Sequence, residues 1–166
     1  MVQRIPVLFA FIAIFILAFD LNAADDSERV IVGLIEQTRI GPNGFRILSK
    51  VDTGAATTSI DARNVQWFDR QGNPWVRFSV VNKHGEEIIL ERPVIRMASI
   101  RRAGTVTEER PVVPLDICVG KISKRIGVNL ARREGMDYRM LIGCNYLDGT
   151  HLVDPSVDHL TTPLCL

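Results

Sequence analysis

The stretch Ser49-Lys50-Val51-Asp52-Thr53-Gly54-Ala55-Ala56-Thr57-Thr58-Ser59-Ile60 decides how this chain is read. Ahead of it runs Phe45-Arg46-Ile47-Leu48-Ser49-Lys50-Val51, apolar and alternating in the manner of a half-buried strand. A strand does not continue through Gly54 without loss, so the Asp52 carboxylate is expected at a strand end, in a tight turn. Gly54 lets backbone amides approach the carboxylate closely, Thr53 offers a hydroxyl to a neighbouring loop, and Ala55 and Ala56 leave room beside it. Far along the chain, Met140-Leu141-Ile142 forms a second apolar run that enters Gly143 and then a segment able to make one helical turn. Two strand-to-glycine turns, one bearing an acid, are what a split carboxylate site needs: the second supports the first from behind.

Outward from this pair the sequence reads as short strands with turn punctuation. Runs rich in Val and Ile begin at Arg29, Pro74, Glu86, Arg110 and Arg125, and several alternate apolar with polar. Between them stand Gly41 to Gly44, Arg70 to Pro74, Asn82 to Glu87, and the glycines 104, 120 and 135. No segment after the first 28 residues sustains a helical apolar period. The expectation is an all-β, mostly antiparallel domain, closed as a small barrel or folded as a sandwich.

With 166 residues, 46% of them hydrophobic, the chain buries one core and is too short for two ordinary domains. A formal net charge of +1 supplies no strong field, and nothing in the composition calls for nucleic acid. The first residues differ in kind: Arg4 precedes an apolar block from Ile5 to Phe19, followed by small residues at Ala23 and Ala24. That is the order of a secretory signal, expected over residues 1–23, and the block is shorter than the roughly 20 residues of a membrane-spanning helix. Residues 28–161 are then the domain, exported to the periplasm. The alternative is an anchor in the inner membrane through residues 5–19, the one route by which a membrane becomes a partner.

Export implies an oxidising compartment. Cys118, Cys144 and Cys165 allow one disulfide and leave one thiol, and one bridge tying down Cys165 is among the expectations. None of the spacings is a CxxC pair. The histidines 84, 151 and 159 are scattered without an HExxH, and no GxxxxGK[ST] occurs, so neither a metal nor a nucleotide cofactor is expected. A gathering of His151 and His159 with Asp148, Asp154 and Asp158 by folding is the remote alternative to solvated loop residues. The segment from Arg92 to Arg110 is charge-biased; it is either a solvated hairpin or a flap over a site, with Arg101, Arg102 and Gly104 at its tip. The hairpin from Asn82 to Glu87 competes for that role.

Lys50 to Ile60 followed by Arg139 to Leu147 resembles the retropepsin-like aspartic proteases. In these, Asp-Thr-Gly-Ala ends a strand and an apolar-apolar-Gly motif precedes a short helix. Within that group the chain looks closest to bacterial proteins formerly labelled ATP-dependent zinc proteases, over about Val32 to Leu160. The resemblance implies a small closed barrel with at most one short helix and an aspartic endopeptidase activity without cofactor or metal. It further implies a catalytic Asp52, with Thr53, Gly54, Ala55, Ile142 and Gly143 supporting the active loop. Cys144 and Ala56 stand where the family usually places an Arg and an Asp, so both halves of that ion pair are replaced together.

Aspartic proteolysis needs two carboxylates about 3 Å apart sharing a proton. One such motif in a chain this short implies a homodimer with Asp52 of each copy at the two-fold axis, acting on a peptide or protein bound as an added strand. The alternative function is a non-catalytic periplasmic peptide-binding or assembly module on the same fold, with Asp52 capping its own turn.

Overall fold

The computed structural model describes residues 29–100 and 107–165. The expected signal or anchor at residues 1–23 and the tip residues Arg101, Arg102 and Gly104 lie outside the described residues. The strands are β1 (Val30–Val32), β2 (Ile35–Ile40), β3 (Phe45–Val51), β4 (Ser59–Asp61), β5 (Arg63–Arg70), β6 (Asn73–Val81), β7 (Glu87–Pro93), β8 (Arg96–Ile100), β9 (Glu108–Val119), β10 (Ile122–Ala131), β11 (Met140–Ile142) and β12 (His151–Val153). The single helix among the described residues, α1, is one turn, Cys144–Leu147.

Six strands follow one another as β10-β4-β11-β3-β2-β9, and β9 pairs back with β10, which closes a barrel. β3 shows why: Phe45, Ile47, Ser49 and Val51 turn inward and are buried, while Arg46 and Lys50 face out. Val113, Leu115, Ile117 and Val119 of β9 and Val128 and Leu130 of β10 complete the lining. The barrel reading therefore holds and the sandwich alternative does not. A separate sheet, β5-β6-β7, lays Val76, Phe78 and Val80 against the same core.

The arrangement of three short pairings positions the site. β3 and β4 are joined by residues 52–58 only, yet they do not pair; β11 lies between them, parallel to β3 and antiparallel to β4. The connecting segment must arch over the end of β11, which brings Asp52 onto Gly143.

β5 escaped the sequence reading because it carries no apolar alternation. It is mostly exposed and holds to β6 through cross-strand contacts: Phe68 meets Trp75 at 6.2 Å, Arg70 lies 4.1 Å over the Trp75 ring, and Arg70 pairs with Glu91 across the sheet.

The last residues form a strap across β1 and β2. Leu34 N–H donates to the Val157 carbonyl, Asp154 N–H to the Val32 carbonyl and His159 N–H to the Ile35 carbonyl. Gly33 is required there, because a Cβ would fall 2.4 Å from the Val157 oxygen. Beneath the strap the Glu36 carboxylate is fully buried and accepts from Gly33 N–H, Leu160 N–H, Thr161 N–H and the Thr161 hydroxyl. The strap ends in the Cys118–Cys165 disulfide, which ties down Cys165. Cys144 is the free thiol.

Two stability effects are expected. The bridge closes a 47-residue separation, so reducing it in the folded protein is expected to cost about 4 kcal/mol in a denaturant titration. Glu36→Ala strands donors that only the carboxylate satisfied and is expected to cost about 3 kcal/mol. A loss below 1 kcal/mol in either titration would show that the strap contributes little.

Candidate active site

Asp52 sits where β3 ends, half-buried, with its N–H donating to the Ile142 carbonyl at 2.9 Å. Its Oδ1 accepts the Gly54 N–H at 3.0 Å, and its carbonyl accepts the Ala55 N–H at 3.2 Å. The turn thus fixes the carboxylate through the Gly54 N–H, as the glycine in Asp-Thr-Gly led one to expect, and the Ala55 N–H closes the turn on the backbone carbonyl. Thr53 and Gly54 are exposed.

The arch behind Asp52 is held by α1. Gly143 packs so tightly beneath it that a Cβ would lie 2.6 Å from the Ala55 oxygen and 2.9 Å from the Thr58 nitrogen. Cys144 N–H donates to the Ala55 carbonyl and Asn145 N–H to the Ala56 carbonyl. Two residues that the sequence reading passed over complete the knot. The Thr58 N–H and hydroxyl both donate to Asn145 Oδ1, at 2.8 and 2.9 Å, and the Thr58 hydroxyl accepts the Gly143 N–H at 3.1 Å. Asn145 Nδ2 then donates to the Gly127 carbonyl of β10 at 2.9 Å. One amide side chain spans the arch, the helix and the barrel wall. The signal that could have found it is its place two residues after Gly143, on the first turn of a helix whose N–H groups face the arch.

This network answers the question posed by Cys144 and Ala56. Where an ion pair is usual, the arch is linked through backbone bonds, and the Cys144 thiol lies 3.2 Å from the Thr53 carbonyl. Another carboxylate that sequence reasoning missed, Asp61, is buried at the far end of β4. It accepts Arg139 Nη1 at 2.7 Å and Arg133 N–H at 2.7 Å, with Arg63 at 3.5 Å. It is committed to locking β4 against β11 and the loop before it.

Of the two hairpins expected to compete as a flap, the one from Asn82 to Glu87 is at the wrong end of the barrel. Asn82 closes that turn with its own side chain and donates from Nδ2 to the Arg46 carbonyl. Arg46 is the second residue of β3 and Asp52 follows its end, about 20 Å apart along an extended strand. The base of the β8–β9 hairpin is close instead: Arg96 Nη2 is 3.5 Å from the Thr57 hydroxyl.

The histidines do not gather. His151 is buried against Tyr146, ring centroids 5.0 Å apart, while His159 lies exposed in the strap. Among the described residues no group of three or more His, Cys, Asp or Glu side chains is placed to hold a metal ion. Tyr146 donates its hydroxyl to the Ile122 carbonyl and accepts the Val119 N–H; burial pushes its ionisation up to about 12. Burial, with a smaller contribution from the Lys124 charge, lowers His151 from 6.5 to about 4.

With these elements in place the comparisons with known proteins are specific. A family model described as RimB-like, retropepsin-like aspartic endopeptidase RimB, matches residues 31–163. The chain belongs to the RimB-like family. Relatives include proteins named "Probable alpha-L-glutamate ligase" from Parasynechococcus marenigrum, 34% identical over 80% of this chain and 29% of the relative, and from Shewanella pealeana, 36% identical over 66% and 25%. The chain spans less than a third of these relatives' length. A crystal structure of a Legionella pneumophila protein of unknown function, Lpg0085, superposes with a TM-score of 0.70 at 30% identity, covering 80% of this chain and 98% of that one.

Three outcomes are expected of the site's framework. Gly143→Ala forces a Cβ into backbone that cannot yield and is expected to lose about 3 kcal/mol of stability. Asn145→Ala leaves the Gly127 carbonyl and both Thr58 donors unpaired and is expected to lose about 2 kcal/mol. The His151 proton is disfavoured in the folded state, so its contribution is complete above pH 6.5 and is lost as pH falls toward 4, at most about 3 kcal/mol. His151→Phe should flatten stability across that window, and an unchanged slope in pH-dependent melts would remove His151 as the cause.

Proposed function

We propose that this protein is an aspartic-type endopeptidase in which Asp52 of two copies together activates a water molecule. The observation that carries the reading is a half-buried carboxylate at the end of β3, fixed by Gly54 and buttressed from behind by Gly143 and Asn145, in a chain of the RimB-like family. Two such carboxylates about 3 Å apart cannot both ionise, so they share one proton. The ionised one takes a proton from water as it attacks the peptide carbon, while the protonated one donates to the carbonyl oxygen. Asp61 is occupied by Arg139 and Arg133, which supports a second copy as the source of the second carboxylate. Thr53, Gly54, Ala55, Ile142 and Gly143 act as positioning residues for Asp52.

Substrate chemistry is suggested by the relatives. The same domain makes up 25–30% of chains named for ligating glutamate. Lys50 is exposed near the end of β3, two residues before Asp52 in the chain, and a cation beside the site would favour an acidic substrate side chain. Glutamate-rich peptides are therefore the first substrates to assay. Export to the periplasm is supported by the Cys118–Cys165 bridge, since such bonds persist in oxidising compartments.

Asp52→Asn is the cleanest test, because an amide oxygen can keep the Gly54 bond while the charge and the shared proton are lost. Cleavage of a peptide library is expected to fall roughly 10³-fold or more with melting temperature nearly unchanged. Wild-type protein that cleaves nothing from pH 3 to 8 would favour the non-catalytic peptide-binding module instead.

A further inference from the structure

The sheet of β5, β6 and β7 turns one face to the core through Val76, Phe78 and Val80, so Arg77 and Ser79 between them face away. Ser79 is a small residue between its register partners Arg63 and Ile89, and the sheet dips there. The depression has a volume of about 490 Å³ and is lined also by Asn64, Gln66, Arg77, Glu87 and Ile89. Asn64 reaches it from a bulge: β5 holds one residue more than β6 between Arg63 and Gln66, and Asn64 takes a left-handed φ of 54°.

The polar groups of this depression are unspent. Ser79 is 4% exposed, and its Oγ has no hydrogen-bond partner among the described residues, which costs stability unless a ligand answers it. Arg77 stands opposite Glu91 in register, but Glu91 is taken by Arg70 at 2.6 Å. Neither Arg77 nor Glu87 makes an ion pair among the described residues, and the Asn64 and Gln66 amides make no side-chain hydrogen bond there. Glu87 is the register partner of Val81, four residues beyond Arg77 on β6, so the cation and the anion stand about 13 Å apart along the sheet. They bound the depression at its two ends, with Ser79 and the exposed Ile89 between them.

From this placement we infer that the depression binds a short linear peptide, two or three residues long, with both ends free. A ligand of one charge would meet its like at one end, and a single amino acid, with both charges on one carbon, spans too little. Three residues of extended chain reach about 10 Å, and the long side chains of Arg77 and Glu87 cover the remainder. Arg77 takes the terminal carboxylate in a two-pronged bond, with the Asn64 and Gln66 amides beside it as further donors. Glu87 takes the terminal ammonium, the Ser79 hydroxyl at the floor bonds a peptide group between them, and Ile89 meets the middle side chain. No residue of the candidate active site takes part, so the inference goes beyond the peptidase reading and does not depend on it.

The test is calorimetric titration of the full chain carrying Asp52→Asn, so that no probe is consumed, with trialanine, N-acetyl-trialanine, trialanine amide and alanine. Trialanine is expected to bind, and each of the other three about tenfold more weakly or not at all. Arg77→Gln is expected to abolish the preference for the free carboxylate and keep the preference for the free ammonium, and Glu87→Gln to do the reverse. Both side chains are exposed, so the two variants are expected to fold as the parent does. Trialanine that fails to bind at about 10 mM, blocked forms that bind as well as the free peptide, or variants that weaken every form alike overturn the site. Asp52-dependent cleavage, measured on the wild type, bears on the peptidase reading alone.

Discussion

The structure depends on the close approach of Gly143 to the backbone arch of residues 52–58. No other residue fits, since a Cβ would penetrate the Ala55 oxygen and the Thr57–Thr58 peptide. That contact forces β11 between β3 and β4 and hands the Gly143, Cys144 and Asn145 N–H groups to acceptors on the arch. An arch lacking regular secondary structure acquires the hydrogen-bond satisfaction of a strand. Asp52 inherits this rigidity and is aimed by it.

Around the knot, polar groups that would cost stability if unpaired are spent on fixing segments. Asp61 locks β4 to the loop before β11, Glu36 locks the strap, and Lys124 donates to the Tyr146 and Asp148 carbonyls at the end of α1. The strap bears on the site through a short path. Val157 takes the Leu34 N–H, and the Leu34 carbonyl takes the N–H of Val51, the residue before Asp52. The fold thus braces the carboxylate from the helix side and from the strap side.

Much of this was legible in the sequence, and the omissions have physical causes. β3 and β11 were readable because each turns an apolar face to the core, and the arch because Asp-Thr-Gly and Ile-Gly break those strands. β4 is three residues long, too short to show a period, and β5 is held by Arg70 between aromatic rings and Glu91 rather than by burial. Asn145 and Thr58 looked like ordinary polar residues, because their roles appear only once segments 87 residues apart are brought together. The Asn82 hairpin looked like a flap by composition, and only its bond to Arg46 shows which end of the barrel it caps.

The central claim is that Asp52 works as a pair drawn from two copies. The direct measurement is peptidase activity in mixtures of wild type and Asp52→Asn, co-refolded so that copies exchange freely, at constant total protein. If each site needs one Asp52 from each copy, activity follows the square of the wild-type fraction and falls to about one quarter at equal mixing. A linear fall, to about one half, would contradict the account and assign the chemistry to single chains.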